Sequence, residues 1–580
     1  MLSFMKYVFP LVSAVALVLG LSPALHAQST SSTPSTSSAP INNRAVVLGI
    51  LAAEFSLQNG DLLTAASTYY EVAKRSQDAK VAERAVELLM RGRRIDDAKE
   101  IAALWQLSDA ESVRPHQVAL ALALTSQDEA RATNAVNRIA ELPEAIRPEA
   151  IMDVARQLAQ YRDRDFAVKL ASVFTEQLPK LAESQYALAV ASTGTNNARL
   201  GEALIAIDRA LAIKPNWPQA VAVKSRLLLA KAVLAKTPVA EAGGDSVALL
   251  QSAITANPDA RDLKLLLART LFDLEKFTES RKGFLALADD GKEDADEMRL
   301  AATLASFQGQ DWDVAEKEFT EALAVDRGEP QAILYYLARI SENKKRWSEA
   351  AERFAQVPRG ERYWESQLRV AGAMAQDQRL LSAISHLRSL TPSTPIERLT
   401  LAQTESTLWR EAGDNAKAFA ALDAALAGDA DNADLLYDSA MLAERIDRMD
   451  EAEKRLRRVI VLQPDRAHAH NALGYSFADR NINLDEARTL IEKAHSLSPD
   501  DPAILDSLGW IAFRQNRLKE AEDYLRRAID KFKDGEIAAH LGEVLWAQGR
   551  KDDAKAVWQA QLSAQPDSDI LKKTIARFDK

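Results

Sequence analysis

Three segments near the carboxy end of the chain repeat the same arrangement of small and apolar residues, and this repetition is the strongest constraint on the fold. Each copy opens with a Leu-Gly pair, has an alanine twelve or thirteen residues after the glycine, and has an apolar residue four positions later. The glycines are Gly474, Gly509 and Gly542, the alanines are Ala487, Ala521 and Ala554, and the apolar residues are Ile491, Leu525 and Trp558. A period of 33 to 35 residues predicts helical hairpins stacked in an array.

The pattern is that of the tetratricopeptide repeat, a helix-turn-helix unit of about 34 residues. Glycine on the first helix and alanine on the second allow the two helices of a hairpin to approach closely. A larger side chain at either position would overpack the contact, at a cost of about 1–3 kcal/mol. Pro499 and Pro566 end two of the copies because proline cannot continue a helix, whereas Lys533 stands at the third such position.

The alanine that marks the second helix can be followed back along the chain, with serine at two of its positions. The marker positions are Ala65, Ala98, Ala132, Ala167, Ala203, Ser246, Ser280, Ala315, Ala350, Ala383, Ala418, Ala452, Ala487, Ala521 and Ala554. Their spacing is 33 to 36 residues except for one step of 43. The sequence therefore predicts an all-α protein, a tetratricopeptide-type α-solenoid in which about fifteen hairpins form a superhelix.

The repeat positions and the local composition together divide the chain into six ranges. We predict a signal peptide at 1–27, a Ser/Thr/Pro-rich linker at 28–43, divergent repeat-like hairpins at 44–236, an insertion at 237–246, the regular array at 247–566 and a capping helix at 567–580. The insertion accounts for the long step of 43 residues and contains Pro238, Gly243 and Gly244. It is interpreted either as a longer surface loop or as a joint between two blocks of repeats.

The first residues resemble an export signal. Lys6 supplies a positive charge, residues 7–21 are apolar, and Leu25-His26-Ala27 precedes a polar residue. A chain of this kind without cysteine suits the periplasm, where stray thiols are oxidised. We expect a periplasmic protein after signal cleavage, or a membrane-tethered one if the signal stays uncleaved. Because the sequence has no cysteine, we do not expect a lipoprotein.

Composition and motifs argue against an enzyme. The net charge of −10 disfavours nucleic-acid binding, which needs a basic surface. His468 and His470 lie two apart on a predicted helix and point in different directions, so they cannot share a metal ion. Asp500-Asp501 before Pro502 is interpreted as a helix-capping turn. We predict no catalytic, cofactor or metal site, no nucleic-acid partner and no small-molecule substrate.

What remains is a surface for binding proteins or peptides. First helices line the concave side of such an array, and those of the last three copies carry aromatic residues next to polar ones. The candidate partner-binding residues are Tyr475, Trp510, Phe513, Trp546, Asn471, Asp506, Arg514 and Glu543. The rings either anchor a partner peptide in the groove or fill gaps between repeats. Asn471 matches one residue type of the carboxylate clamp of chaperone-binding repeats, but Asp506 at the equivalent site does not.

Beyond the generic repeat positions, one stretch resembles a particular family. The segment HNALGYSFADRNINLDEARTLI, followed by LSPDDPAILDSLGWIAFRQ and EIAAHLGEVLWAQGRKDDAKAVW, is similar to the envelope tetratricopeptide lipoproteins that act as adaptors for a carboxyl-terminal processing protease. The similarity covers residues 467–558. It implies a scaffold that holds the protease and delivers peptidoglycan hydrolases to it. That family is anchored by a lipid on a cysteine, which this chain lacks.

A second interpretation is an assembly factor for an envelope polysaccharide-export or outer-membrane machine. The repeat pattern is common to both interpretations, and the identity of the partner distinguishes them.

Overall fold

The computed structural model describes residues 43–193, 197–237, 243–325 and 328–578. Within these ranges the chain forms 31 helices and no strand, so the predicted all-α class is confirmed. The predicted signal peptide and all but the last residue of the predicted linker lie outside the described residues, as does the centre of the 237–246 insertion.

The chain divides into two compact units between Gly328 and Glu329. The described residues of the first unit form α1 (Asn43–Gln58), α2 (Leu62–Ser76), α3 (Ala79–Arg91), α4 (Ile95–Ser108), α5 (Val113–Thr125), α6 (Glu129–Ala140), α7 (Arg147–Gln160), α8 (Arg164–Gln177), α9 (Ala182–Ala191), α10 (Asn197–Ile213), α11 (Pro218–Leu234), α12 (Gly244–Ala256), α13 (Arg261–Asp273), α14 (Phe277–Ala288), α15 (Ala295–Gln308) and α16 (Trp312–Ala324). The predicted 237–246 insertion lies inside this unit, and its last three residues, 244–246, belong to α12, so the division between the units lies later in the chain.

The second unit continues the same alternation of helices. Its described residues form α17 (Pro330–Asn343), α18 (Trp347–Ala355), α19 (Tyr363–Gln376), α20 (Leu380–Ser389), α21 (Pro395–Glu411), α22 (Asn415–Leu426), α23 (Ala433–Arg445), α24 (Met449–Leu462), α25 (Ala467–Asp479), α26 (Leu484–Leu497), α27 (Pro502–Arg514), α28 (Leu518–Lys531), α29 (Gly535–Ala547), α30 (Lys551–Ala564) and α31 (Asp569–Phe578). The last helix packs on α29 and α30.

Within each unit every helix contacts the next one along the chain, which gives a series of hairpins from α1/α2 to α29/α30. All fifteen marker positions lie on second helices, and each is at most 2% exposed. The two serines make hydrogen bonds that allow burial of their hydroxyl groups. Ser246 Oγ lies 2.7 Å from Ser225 Oγ, and Ser280 Oγ donates to the carbonyl of Ala268 at 2.8 Å.

Glycines on the first helices lie against the second helices of the same hairpins. A Cβ atom on Gly474 would lie 2.6 Å from Ile491 Cγ1 and 2.9 Å from the carbonyl oxygen of Ala487. A Cβ atom on Gly509 would lie 2.5 Å from Leu525 Cγ. These distances are below van der Waals contact, so these two hairpins leave no room for a side chain at Gly474 or Gly509.

The turn inside a hairpin commonly contains a residue in the left-handed conformation. Asp447 between α23 and α24 has φ 60°, and Asn516 between α27 and α28 has φ 62°. Such a residue ends a helix by turning its amide group back toward the last carbonyls. Asn and Asp tolerate this conformation better than most residues, but Arg93, Gln310 and Lys345 adopt it as well, so the short turns do not require glycine.

No helix in the described part of the chain is both long enough and apolar enough to cross a bilayer.

Replacing Gly474 by alanine tests the close contact, and replacing Gly372 by alanine is the matched control. Gly372 lies on α19 with no atom within 4 Å of its Cβ position. We expect Gly474→Ala to lower the free energy of unfolding by roughly 1–3 kcal/mol, because the new methyl group meets backbone. Gly372→Ala should raise it by up to about 1 kcal/mol through helix propensity. Thermal melting followed by circular dichroism measures both, and equal effects would contradict the packing role of Gly474.

Candidate partner-binding surface

The predicted binding residues lie on three neighbouring first helices of the second unit. Helix α25 carries Asn471 and Tyr475, α27 carries Asp506, Trp510, Phe513 and Arg514, and α29 carries Glu543 and Trp546. Helix α27 packs against both α25 and α29. The three helices therefore present one continuous face, here called the terminal face.

Trp510 lies at the centre of the terminal face and is only 4% exposed. Its ring stacks on His540 of α29, with centroids 4.0 Å apart and planes 20° apart, and on Phe513 at 5.2 Å. The Arg514 guanidinium lies 4.6 Å from the same ring. Of the two interpretations of these rings, the structure places Trp510 among the residues that fill the space between repeats.

A buried ionic pair joins α27 to α29 beneath these rings. His540 Nδ1 lies 2.9 Å from Asp506 Oδ1 and 3.1 Å from Oδ2, and each residue is 5% exposed. Burial alone would lower the pKa of His540, but the Asp506 carboxylate, together with those of Glu536 and Glu543, raises it above its usual value. The pair is therefore a charged contact between consecutive repeats, not an exposed site for partner groups.

Tyr475 extends the network to a third helix. Its hydroxyl donates to Glu536 Oε1 of α29 at 2.5 Å, reaching past α27 to a residue 61 positions away. Burial and the neighbouring Glu536 carboxylate together raise the pKa of the Tyr475 hydroxyl, so it stays protonated as a donor. The contact connects α25 directly to α29.

The two predicted residues on α29 lie under the carboxy-terminal helix. Glu543 forms an ion pair with Arg577 of α31. Trp546 is half-buried, with ring centroids 5.2 Å from Phe578 and 6.0 Å from Trp558. These contacts give Glu543 and Trp546 a role in seating α31 on the last hairpin.

Phe513, Asn471 and Arg514 keep part of their surface accessible. Arg514 Nη2 donates to the carbonyl of Asp479 at 2.7 Å. Three polar atoms on the terminal face are buried without a hydrogen-bond partner in the described residues: Trp510 Nε1, Asn471 Oδ1 and Arg514 Nε. Buried polar atoms are normally paired, so ordered water is the expected partner of these three atoms. That a partner binds here stays a prediction.

Two members of this network, His540 and Glu536, were not predicted from the sequence. His540 follows Asp506 by 34 residues, which is one repeat, and that spacing alone places the two residues on neighbouring first helices. Nothing in the sequence indicates that Tyr475 reaches Glu536, because the contact skips a repeat.

The described part of the chain has no group of three or more His, Cys, Asp or Glu side chains arranged to hold a metal ion. Asp501 accepts hydrogen bonds from the amides of Ala503 and Ile504 at 2.9 and 3.3 Å, so the predicted capping turn before α27 is confirmed.

Comparison with protein families identifies tetratricopeptide repeats in this chain. Tetratricopeptide repeat models match residues 300–366, 410–474 and 483–536. These segments are tetratricopeptide repeats, as predicted, and the last one contains all of α26, α27 and α28.

Curated relatives resemble parts of the chain. A TPR repeat-containing protein of Pseudomonas aeruginosa, PA4667, is 37% identical over 247 residues, which is 43% of this chain and 42% of that protein. The bacteriophage adsorption protein A of Escherichia coli is 32% identical over 75 residues, which is 13% of this chain and 8% of that protein. The chain thus matches less than half the length of these relatives. Among solved structures, yeast Tom70 aligns over 75% of this chain and 96% of its own with a TM-score of 0.33 and 15% identity.

Replacing Trp510 by alanine distinguishes a packing role from a binding role. Because the ring is buried and stacked on two neighbours, we expect the substitution to cost about 3–5 kcal/mol of stability. Phe532→Ala is the control, because Phe532 is 57% exposed and its loss should leave the melting temperature unchanged. An unchanged melting temperature for Trp510→Ala would show that the ring is not part of the core.

The Asp506–His540 pair predicts a pH dependence of stability. The folded chain holds the His540 proton more tightly than the unfolded chain, whose histidine pKa is about 6.5. The stabilisation is therefore complete below about pH 6.5 and is lost as pH rises through the higher folded pKa. We expect His540→Gln to reduce the fall in melting temperature above pH 6.5. His468→Gln, at an exposed histidine, should keep the wild-type profile.

Proposed function

We propose that this chain is a non-catalytic protein-interaction scaffold of the cell envelope. In this role it brings a carboxyl-terminal processing protease to peptidoglycan hydrolases that are its substrates. Tetratricopeptide repeats present extended surfaces on which other proteins and peptides bind, which is the general basis for a scaffold. The envelope location rests on the signal-like residues 1–27 and on the absence of cysteine from the sequence.

The observation that carries this proposal is the terminal face. Its centre is held rigidly by Trp510, the Asp506–His540 pair and the Tyr475–Glu536 hydrogen bond, so the exposed parts of neighbouring side chains have fixed positions. Binding to a preformed surface avoids the entropy cost of ordering loops and side chains. The same helices, α25 to α29, lie within the 467–558 segment that resembles the protease adaptors.

The accessible residues of this face have the chemistry of a peptide-binding surface. Phe513 offers a half-buried aromatic ring, and Asn471 and Arg514 are partly accessible polar side chains of the same face. An aromatic anchor surrounded by polar groups is the usual composition of an interface centre. We therefore assign partner contact to Phe513, Asn471 and Arg514, and structural support to Trp510 and Asp506.

The test is affinity capture from an envelope extract with the full chain as bait, followed by binding measurements with the purified partner. We expect a carboxyl-terminal processing protease, with chemical cross-links to α25 and α27. The double variant Asn471→Ala/Phe513→Ala should weaken binding at least about tenfold, because two central contacts are removed. Phe532→Ala, which removes an exposed ring elsewhere, should bind as wild type.

Other results would exclude the adaptor role. Recovery of an outer-membrane assembly or polysaccharide-export complex in place of the protease would favour the assembly-factor interpretation. Equal binding by the double variant and by wild type would exclude the terminal face as the contact surface, even with the protease as partner. Melting curves of both variants establish that a loss of binding does not come from unfolding.

A further inference from the structure

Helix α1, at the amino end of the described chain, has an apolar face that no described residue covers. On its inner side, Val46 and Ile50 pack against the core that α1 shares with the helices that follow. The opposite side carries four large apolar side chains that are 50% to 66% exposed: Val47, Leu48, Leu51 and Phe55. Half of this helix therefore lacks the contacts that its composition suits.

Such a face is unusual at the end of a repeat array. A terminal helix normally turns a polar face outward, because an exposed apolar face lowers solubility. At the other end of the chain, α31 packs on the last hairpin and its Leu571 is buried. Helix α1 contains only two charged residues, and one of them, Glu54, accepts a hydrogen bond from Tyr69 of α2 at 2.7 Å. A contiguous apolar patch of this kind marks an interaction surface.

The exposed residues follow the spacing of a coiled-coil seam. A helix turns about 100° per residue, so positions that are four, three and four apart lie along one line. The residues on this line are Arg44, Leu48, Leu51 and Phe55. Ala45 and Ala52 are exposed along one flank of the line. These small residues leave room for a second helix to approach the seam closely.

The seam is complementary to itself when two copies of α1 run antiparallel. A twofold axis between Leu48 and Leu51 places Leu48 of each copy opposite Leu51 of the other. The same axis places Arg44 opposite the Phe55 ring of the other copy, where the guanidinium is attracted to the ring face. A parallel pairing would bring the two Arg44 side chains together. Charge and shape therefore favour the antiparallel pair.

The size of the face suits a pair of chains. The four apolar side chains expose roughly 450 Å² in each chain, within the range of functional patches on single proteins. With Arg44, Ala45 and Ala52 included, a pair of chains would bury about 1,000 Å², the lower limit for a specific interface. Interfaces of this size are weak and reversible, so we expect dissociation in the micromolar range.

We propose that α1 pairs with α1 of a second copy in an antiparallel arrangement and makes this chain a homodimer. Leu48 and Leu51 form the centre of the interface, and Arg44 and Phe55 form its two ends. The apolar residues 7–21 belong to the predicted signal peptide, so in the mature chain they do not compete for this face. The dimer concerns α1 and does not depend on the protease-adaptor role.

Sedimentation velocity of the full chain over a range of concentrations tests the dimer. We expect a species of twice the monomer mass above about 10 µM. Leu48→Glu/Leu51→Glu should need at least about tenfold more protein to dimerise, because it brings four carboxylates together. Both side chains are exposed, so its melting temperature should equal that of wild type. Leu381→Glu/Val461→Glu changes two exposed apolar residues of the second unit and should dimerise as wild type.

A pair of single variants tests which residues face each other. Leu48→Glu alone and Leu51→Lys alone should each dimerise more weakly than wild type, because each buries two unpaired charges. Mixed together, they should form a heterodimer, since the antiparallel pair sets Glu at position 48 against Lys at position 51. Such a gain on mixing cannot come from misfolding.

A spin label at Gln58 measures the direction of the pairing. The sequence has no cysteine, so Gln58→Cys gives a single labelling site at the exposed end of α1. An antiparallel pair with its axis between Leu48 and Leu51 separates the two labelled positions by roughly 25 Å, from the rise of 1.5 Å per residue. A parallel pair would bring them to about 10 Å. Double electron–electron resonance measures this distance.

Three results would overturn the proposal. The first is a wild-type chain that stays monomeric at about 100 µM. The second is a monomer that dimerises only after residues 7–21 are removed, because these residues would then be the ones that cover α1. The third is a monomer that binds phosphatidylglycerol vesicles and loses this binding in Leu48→Glu/Leu51→Glu, which would assign the face to a lipid surface. A dimer that Leu48→Glu/Leu51→Glu leaves unchanged would likewise exclude α1 as its interface.

Discussion

The close approach of the two helices in each hairpin is the contact on which the rest of the structure depends. At Gly474 the first helix comes so near to Ala487 and Ile491 that a single added methyl group would overlap the backbone. This contact sets the separation of first and second helices. Each hairpin packs mainly on its neighbours, so each added hairpin lengthens the hydrophobic core and does not make it thicker. Serine replaces the marker alanine only where a hydrogen bond satisfies its hydroxyl group.

Repetition also determines where functional chemistry can arise. A residue on one first helix lies beside the residue one period later on the next, so pairs of equivalent positions become neighbours in space. Asp506 and His540 use this relation to form an internal ionic contact. Arg410 of α21 and Arg445 of α23 are related in the same way and line one pocket, together with Asp438. The same geometry thus produces cohesion where the paired charges are opposite.

Stability and recognition are divided among residues that are close in sequence. Trp510 is enclosed by His540, Phe513 and Arg514, and it contributes to the packing of repeats. Its neighbours Phe513 and Arg514 retain accessible surface. A rigid centre with accessible edges suits a scaffold, because partner residues meet side chains whose positions are already fixed. Helix α31 covers Trp546 and Glu543 at the end of the array. Without this helix, an apolar face of the last hairpin would be exposed to solvent.

The sequence by itself determined the helical hairpin, its period and the buried markers of its second helix. These are local properties: small residues at the helix contact and apolar residues three and four apart recur in every well-formed copy, and prolines end two of the last three copies. Tertiary structure alone decided which aromatic rings are covered, because Trp510 and Phe513 share a helix yet differ in the neighbours that other repeats bring to them. It also decided that Tyr475 meets Glu536 across an intervening helix. Such pairings depend on the rotation of one repeat against the next, which no single repeat encodes.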